Sequence, residues 1–173
     1  MPFNTVLHLV SSPQNVGMIT RSHVAFGGQK LIFVGYDRPW QYRSGTQGFS
    51  RKLEATCEVL HFETVAAFLS WSLAESISCI AVEITETAAN LPGYPFPETC
   101  NLIVGSEKNG ISEDLLAACH GIVTIPQFGP AACLNVAVAA SIAMYEYTRA
   151  CEGQVRNLIR GHKFDTPDAA GTW

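Results

Sequence analysis

Short apolar runs alternate along the chain with segments of helical periodicity. Six runs are rich in β-forming residues, and most of them show little polar alternation, which predicts strands covered on both faces. These runs are Thr5 to Val10, Lys30 to Val34, Glu58 to Phe62, Ile77 to Ile84, Asn101 to Val104 and Gly121 to Ile125. Four segments fit helices, namely Val16 to Phe26, Thr64 to Leu73, Ser112 to Cys119 and Leu134 to Cys151. The rhythm predicts an α/β domain with a largely parallel sheet.

In such sheets, ligands bind beyond the carboxyl ends of the strands, where the Gly- and Asn-bearing loops of this chain fall. Two irregular segments, Asp37 to Ser50 and Leu91 to Glu98, are predicted to be surface loops. The first combines Trp40 and Tyr42 with arginines, a composition suited to stacking on RNA bases and contacting phosphates. A loop that packs its own Trp fits the same composition.

The composition predicts one compact domain. Of 173 residues, 47% are hydrophobic and 15% are charged, so a substantial core is available. We expect the domain to cover residues 1–152 and the more polar residues 153–173 to form a tail that frays or serves assembly. No apolar run approaches the roughly 20 residues that cross a bilayer, and the N-terminus lacks a basic signal segment. A soluble, cytoplasmic protein is the expectation.

Six cysteines lie mostly in apolar stretches, with no C-x-x-C pair; they are Cys57, Cys79, Cys100, Cys119, Cys133 and Cys151. Buried free thiols are the preferred interpretation, ahead of disulfides or a zinc site. No metal site is predicted.

The net charge of -4 argues against a protein that coats nucleic acid non-specifically, because such binding needs many Lys and Arg contacts. Any RNA contact must therefore be local. Two groups of basic residues are available, Arg38, Arg43, Arg51 and Lys52 in one region, and Arg149, Arg156, Arg160, His162 and Lys163 near the C-terminus. For each residue alone, solvated surface charge explains as much.

Three segments carry the candidate chemistry. In the first, Asn15-Val-Gly-Met-Ile-Thr-Arg21, Asn15 can cap a helix start, and Arg21 can reach toward a phosphate or a carboxylate. The second, Gly105-Ser-Glu-Lys-Asn-Gly110, follows a strand, and its Glu107 either pairs with Arg21 or favours the next helix start. By pattern alone the second segment is only a turn between strand and helix, because it matches no phosphate-loop or dinucleotide fingerprint.

The third segment runs from strand Gly121 to Ile125 through Pro126-Gln-Phe-Gly-Pro-Ala-Ala-Cys-Leu-Asn135 into an alanine-rich helix. That helix is apolar around most of its circumference, which predicts burial in the core or in a subunit contact. Considered alone, Asn135 is best explained as the N-cap of this helix.

Together, N-x-G-x-x-x-R, G-x-E-x-x-G and I-P-x-x-G-x-x-x-x-L-N-V-x-V-A resemble, in order and spacing, the motifs of SpoU-type RNA ribose 2'-O-methyltransferases of the SPOUT superfamily. The resemblance covers nearly the whole chain. It implies S-adenosylmethionine as cofactor, a homodimer with its catalytic centre near the subunit boundary, and a C-terminal deep trefoil knot in roughly residues 100–150, an exception to ordinary connectivity.

Carried over by motif, the resemblance implies that Val82, Gly105, Ile125 and Leu134 hold the cofactor's adenosine, with Cys133 beside it. Catalytic roles fall to Asn15, Arg21, Glu107 and Asn135, around the ribose hydroxyl and a neighbouring phosphate. Since a guanidinium stays protonated, we expect Arg21 to clamp the phosphate and stabilise the developing alkoxide, held in place by Glu107 and Asn15. The site implied by the resemblance contains no metal.

Two positions depart from the family pattern, because Cys133 and Ala137 stand where serines are usual. Cysteine is the weaker hydrogen-bond donor, so either a contact is weakened or this chain arranges its phosphate contact differently. A catalytically silent member that binds the cofactor together with RNA or a protein, and an unrelated nucleotide-binding module, are the alternatives. The first motif begins near the N-terminus, so recognition must come from the catalytic domain, its dimer or another protein, and we expect transfer RNA rather than ribosomal RNA as the substrate.

Overall fold

The computed structural model describes residues 3–150, which form an α/β domain around one seven-stranded parallel sheet. The strands are β1 Phe3–His8, β2 Lys30–Val34, β3 Glu58–Phe62, β4 Ser78–Val82, β5 Ala89–Asn90, β6 Cys100–Val104 and β7 Gly121–Thr124. The helices are α1 Pro13–Ala25, α2 Ser44–Ser50, α3 Val65–Ala74, α4 Glu113–Ala117 and α5 Val136–Ala150, with a 3-10 turn at Leu53–Thr56. The predicted fold class is confirmed.

The strand order is β3-β2-β1-β6-β4-β7-β5, so β1 lies between β2 and β6. Since all pairings are parallel, the carboxyl ends of β1, β4, β6 and β7 meet at one edge. The loops after these strands include the three motif segments. The trefoil knot that the resemblance implies stays a prediction.

Both faces of the sheet are covered along β1, β2, β4 and β6, as the lack of polar alternation predicts, whereas the edge strands β3 and β5 are partly exposed. Leu7 and Phe33 face a core shared with α1 and α5, whereas their neighbours Val6 and Ile32 face a second core with Phe68 of α3. Fully burying an apolar side chain of this size contributes roughly 1.5–3 kcal/mol. The sheet therefore forms a rigid base for its carboxyl edge.

A buried polar network crosses the sheet near the opposite edge. Asn4 Nδ2 donates to Asn101 Oδ1 at 2.9 Å, and Asn101 Nδ2 donates to Ser72 Oγ at 2.9 Å. Ser72 Oγ donates onward to the Ile77 carbonyl at 2.8 Å. Because these groups find partners, their burial does not carry the cost of unmade hydrogen bonds.

The limits of several predicted elements shift in the structure. Strand β1 begins at Phe3 and ends at His8, and α1 begins at Pro13 rather than Val16. The helix starts early because Ser12 is its N-cap, followed by Pro13, whose fixed φ suits a first turn. The predicted role of Asn15 as a cap is therefore wrong. Both the predicted end of the last helix at Cys151 and the tail lie outside the described residues.

The segment Asp37 to Ser50, predicted as a loop, contains helix α2. Its aromatic residues are packed. Trp40 stacks on Phe33 with a ring-centre distance of 5.7 Å, and Tyr42 hydrogen-bonds Thr20 Oγ1 at 2.8 Å. The packed-Trp alternative is thus the one found, while Arg38 remains exposed. Leu91 to Glu98 has neither helix nor strand, as predicted.

Candidate functional site

A cavity of about 400 Å³ opens at the carboxyl edge, where β4, β6 and β7 end and α5 begins. It is lined by Val82, Glu83, Ile84, Val104, Gly105, Ser106, Glu107, Gly110, Thr124, Ile125, Gln127, Cys133, Leu134, Asn135, Val136 and Ala139. This volume falls in the range of pockets that hold a small molecule or cofactor. The second and third motif segments supply most of the wall.

The five predicted cofactor residues all line this cavity. They are Val82, Gly105, Ile125, Cys133 and Leu134. Gly105 packs so closely that an added Cβ would lie 2.1 Å from the carbonyl carbon of Gly110. Only glycine fits there, because a clash with backbone has no flexible side chain to relieve it.

Asn15, Glu107 and Asn135 form a hydrogen-bonded chain beside the cavity. Asn15 Nδ2 donates to Glu107 Oε1 at 2.8 Å, and Asn135 Nδ2 donates to Asn15 Oδ1 at 3.0 Å. Asn135 also caps α5, as predicted, since its Oδ1 accepts from the Ala137 N–H at 2.9 Å. One polar cluster thus ties together residues from all three motif segments.

Glu107 accepts every donor that surrounds it. Besides Asn15, its partners are the N–H and hydroxyl of Ser11, at 3.1 and 3.2 Å, and the N–H of Ser12 at 3.1 Å. Desolvation opposes ionisation, but the bonds from Asn15, Ser11 and Ser12 outweigh it and lower the pKa of Glu107 to about 2. Glu107 is therefore a carboxylate at neutral pH and a very weak base.

Arg21 stands apart from this cluster. It lies on the exposed face of α1, and within residues 3–150 it makes no hydrogen bond or ion pair. The expectation that Glu107 and Asn15 hold Arg21 in place is wrong, because their polar atoms are bonded to each other and to Ser11 and Ser12.

The described thiols match the prediction of buried free thiols only in part, because Cys57 and Cys119 are half-buried. No disulfide links the described cysteines, and Cys79 and Cys100 are buried as expected. Cys133 is exposed, so its assignment as a buried thiol is wrong, since it belongs to the irregular segment before α5 rather than to an apolar element. Residues 3–150 contain no group of His, Cys, Asp and Glu side chains placed to bind a metal ion.

Glu83 is a residue of the cavity that the sequence did not single out. It directly follows β4, within the segment predicted as strand Ile77 to Ile84. A lone acid at the carboxyl end of a buried parallel strand was the available signal, because that edge is where ligands bind.

None of the helices within residues 3–150 has the length and apolar character that crossing a membrane requires.

Comparisons with known proteins identify the family of this chain. The SpoU rRNA Methylase family matches residues 2–145. A mouse relative (Mus musculus), named tRNA (guanosine(18)-2'-O)-methyltransferase, is 30% identical over 148 residues, which cover 83% of this chain and 9% of that protein. The chain spans 41% and 53% of two further curated relatives, so less than two thirds of each.

Solved structures show the same architecture. A structure described as concerning 2-OH methylation of C/U34 on tRNA has a TM-score of 0.77 and 28% identity, covering 88% of this chain and 98% of that one. A SpoU methyltransferase from Streptomyces viridochromogenes in complex with AdoMet has a TM-score of 0.77 at 24% identity, covering 87% and 60%. With its three motif segments gathered at one sheet edge, the chain belongs to the SpoU rRNA Methylase family.

Proposed function

We propose that this protein transfers a methyl group from S-adenosylmethionine to a ribose 2'-hydroxyl of transfer RNA. The observation that carries the proposal is the chain of hydrogen bonds through Asn135, Asn15 and Glu107, which borders a cofactor-sized cavity. The family match supports the reaction class, and the mouse relative is named for a transfer RNA ribose.

The cavity fits the cofactor in size and character. Val82, Ile125 and Leu134 supply apolar surface for an adenine ring, and Gly105 brings backbone close to the ligand, with Cys133 at the side. Bound there, S-adenosylmethionine supplies a sulfonium-activated methyl group. The main tasks left to the protein are to position the ribose oxygen in line with that methyl group and to accommodate the proton.

The polar residues then divide the work. Arg21, always protonated and without a partner in residues 3–150, binds the phosphate next to the target ribose. Asn15 and Asn135 orient one another and the 2'-hydroxyl, while Glu107 fixes Asn15. The low pKa of Glu107 argues against a role as the base that removes the hydroxyl proton.

A homodimer completes the proposal. Apolar side chains are exposed on the adjacent helices α1 and α5, with exposed fractions of 41% for Met18, 41% for Val138, 36% for Ile142 and 55% for Tyr145. The Ser22 and Ser141 hydroxyls, 2.7 Å apart, join the two helices beside this stripe. A second copy is the occupant that we propose. Arg21 lies one turn after Met18, so the dimer would bring it to the subunit boundary.

The test is transfer of label from S-adenosylmethionine to transfer RNA, compared with ribosomal RNA, followed by digestion to locate 2'-O-methylated nucleotides. We expect label on a transfer RNA ribose and a loss of at least about 100-fold for Arg21→Ala. Arg21→Lys should stay well below wild type, because lysine lacks the bidentate geometry. The control Lys30→Ala removes a cation at the amino end of β2 and should leave transfer unchanged.

Three outcomes would change the assignment. Label on ribosomal RNA alone would change the proposed substrate from transfer RNA to ribosomal RNA. Full turnover of Arg21→Lys would refute the bidentate role of Arg21. Cofactor binding without transfer to either RNA would indicate a silent member of the family.

Sedimentation of the wild type and of Ile142→Glu tests the dimer, since a charge in an apolar interface should shift the protein toward monomer.

A further inference from the structure

We infer that Glu83 is the residue that makes the cavity selective for the positively charged cofactor over its neutral product, an inference that rests on the proposed function. Glu83 lies at the end of β4 and its N–H donates to the Val123 carbonyl of β7 at 3.0 Å, which fixes its backbone in the sheet. Its half-buried side chain forms part of the cavity wall.

The carboxylate of Glu83 is held by two backbone groups. Oε1 accepts from the Ile84 N–H at 2.9 Å, and Oε2 accepts from the Ile111 N–H at 3.1 Å. Gly110 lies close to the same carboxylate, since a Cβ added at Gly110 would be 2.5 Å from Glu83 Oε2. The φ of +66° at Gly110 also favours glycine. The carboxylate is therefore placed before any ligand arrives, and little ordering is needed on binding.

Counting acceptor positions separates Glu83 from the other acid of the cavity. An ionised carboxylate has about four lone-pair positions. Glu107 uses them on Asn15, Ser12 and the two donors of Ser11. Within residues 3–150, the donors to Glu83 are the Ile84 and Ile111 N–H groups, so about half of its acceptor capacity stays open at the cavity wall. Hydroxyl and ammonium donors of a ligand can bind there.

The charge of the wall points to the same ligand. Among the described residues 3–150, Glu83 and Glu107 are the charged residues of the wall, and no Lys, Arg or His of this range lines the cavity. S-adenosylmethionine carries one more positive charge than S-adenosylhomocysteine, the product left after methyl transfer. A negatively charged cavity wall attracts cationic S-adenosylmethionine more strongly than neutral S-adenosylhomocysteine. This difference favours release of the product and binding of a new cofactor molecule.

Calorimetric binding of S-adenosylmethionine and S-adenosylhomocysteine to the purified protein tests this inference without any RNA. In Glu83→Gln we expect the affinity for S-adenosylmethionine to fall about tenfold and that for S-adenosylhomocysteine about threefold or less. Hydrogen bonds to hydroxyl and ammonium groups are common to both compounds, whereas the attraction between the carboxylate and the sulfonium charge is lost only for the first. The ratio of the two affinities is the decisive quantity, since a change that only loosens the fold leaves it constant.

Two further variants control for structure. Gly110→Ala displaces the Glu83 carboxylate sterically while keeping its charge, so both affinities should weaken together. Glu113→Gln removes an exposed acid of α4 outside the cavity and should change neither. An unchanged affinity ratio in Glu83→Gln, with or without a lower melting temperature, overturns the inference. Failure of the wild type to bind either compound would instead refute the proposed function.

Discussion

Glu107→Gln should destabilise the protein in a way that disappears in acid. The carboxylate accepts four hydrogen bonds, from Ser11 twice and from Ser12 and Asn15. The glutamine side chain keeps one acceptor oxygen but places an NH2 group, which cannot accept, where the second carboxylate oxygen stood. About two of these hydrogen bonds are therefore lost together with the charge. We expect the free energy of unfolding to fall at neutral pH.

The magnitude follows from the pKa. Lowering the pKa of a carboxyl from 4.5 to about 2 corresponds to at most roughly 3 kcal/mol of folding free energy. Because Glu107 is exposed, solvent screening reduces this to about 1 kcal/mol. The folded pKa is the lower one, so the stabilisation is present above 4.5 and is lost as the pH falls toward 2.

Urea titrations of wild type and Glu107→Gln between neutral pH and about pH 3 measure this difference, and more than half of it should be gone at the acid end. Glu63→Gln, at an exposed acid before α3, should stay within about 0.5 kcal/mol of wild type. A difference between wild type and Glu107→Gln that is constant over this range would refute the idea that ionisation of Glu107 organises the cluster.

Four other outcomes are expected. Gly17→Ala should cost about 1–3 kcal/mol, since its Cβ would lie 2.6 Å from the Thr46 carbonyl oxygen, whereas Gly45→Ala, in open space, should cost nothing; urea titration compares them. Asn101→Ala leaves the buried Asn4 Nδ2 donor without its acceptor and removes the donor to Ser72 Oγ, so it should lose about 2–4 kcal/mol, against little for the exposed Asn90→Ala. Burial lowers the pKa of His23 from 6.5 to about 4, so stability should fall as the pH drops between these values, and a slope unchanged in His23→Gln would contradict this. The exposed Cys133 should be alkylated in the native protein, and more slowly when S-adenosylmethionine fills the cavity that Cys133 lines, whereas the buried Cys79 and Cys100 should be protected. Peptide mass spectrometry measures the alkylation of each cysteine.

The sequence predicted the strands better than the segments between them. Lys30–Val34 and Glu58–Phe62 have the predicted limits, because apolar β-branched runs bounded by turns leave little choice. Helix α2 was missed, since Ser-Gly-Thr-Gln-Gly-Phe-Ser has two glycines and no apolar periodicity. It packs on α1 at Gly17, a tertiary contact that no local pattern reveals.

The candidate site depended on more than local pattern. Asn15 precedes Glu107 by 92 positions and Asn135 by 120, and only the strand order brings their loops to one edge. The motif resemblance named these residues, whereas the pairing of Arg21 with Glu107, expected from the residues themselves, is not found between them in the structure. Charge complementarity favoured that pair, but it takes no account of the nearer backbone donors at Ser11 and Ser12.

This distribution of partners explains why the two acids and the arginine have different tasks. Glu107 is saturated by its own chain, so it can fix Asn15 but has little capacity to bind a ligand or remove a proton. Glu83 is placed by two N–H groups and keeps open capacity toward the cavity, which suits a cationic ligand. Arg21 is bound by no acid within residues 3–150, and in the proposed function its charge binds RNA phosphate. Under the proposed function, in which a methyl group passes from a cation to a polyanion, this separation is favourable, because an internal Arg21–Glu107 ion pair would weaken the recognition of RNA.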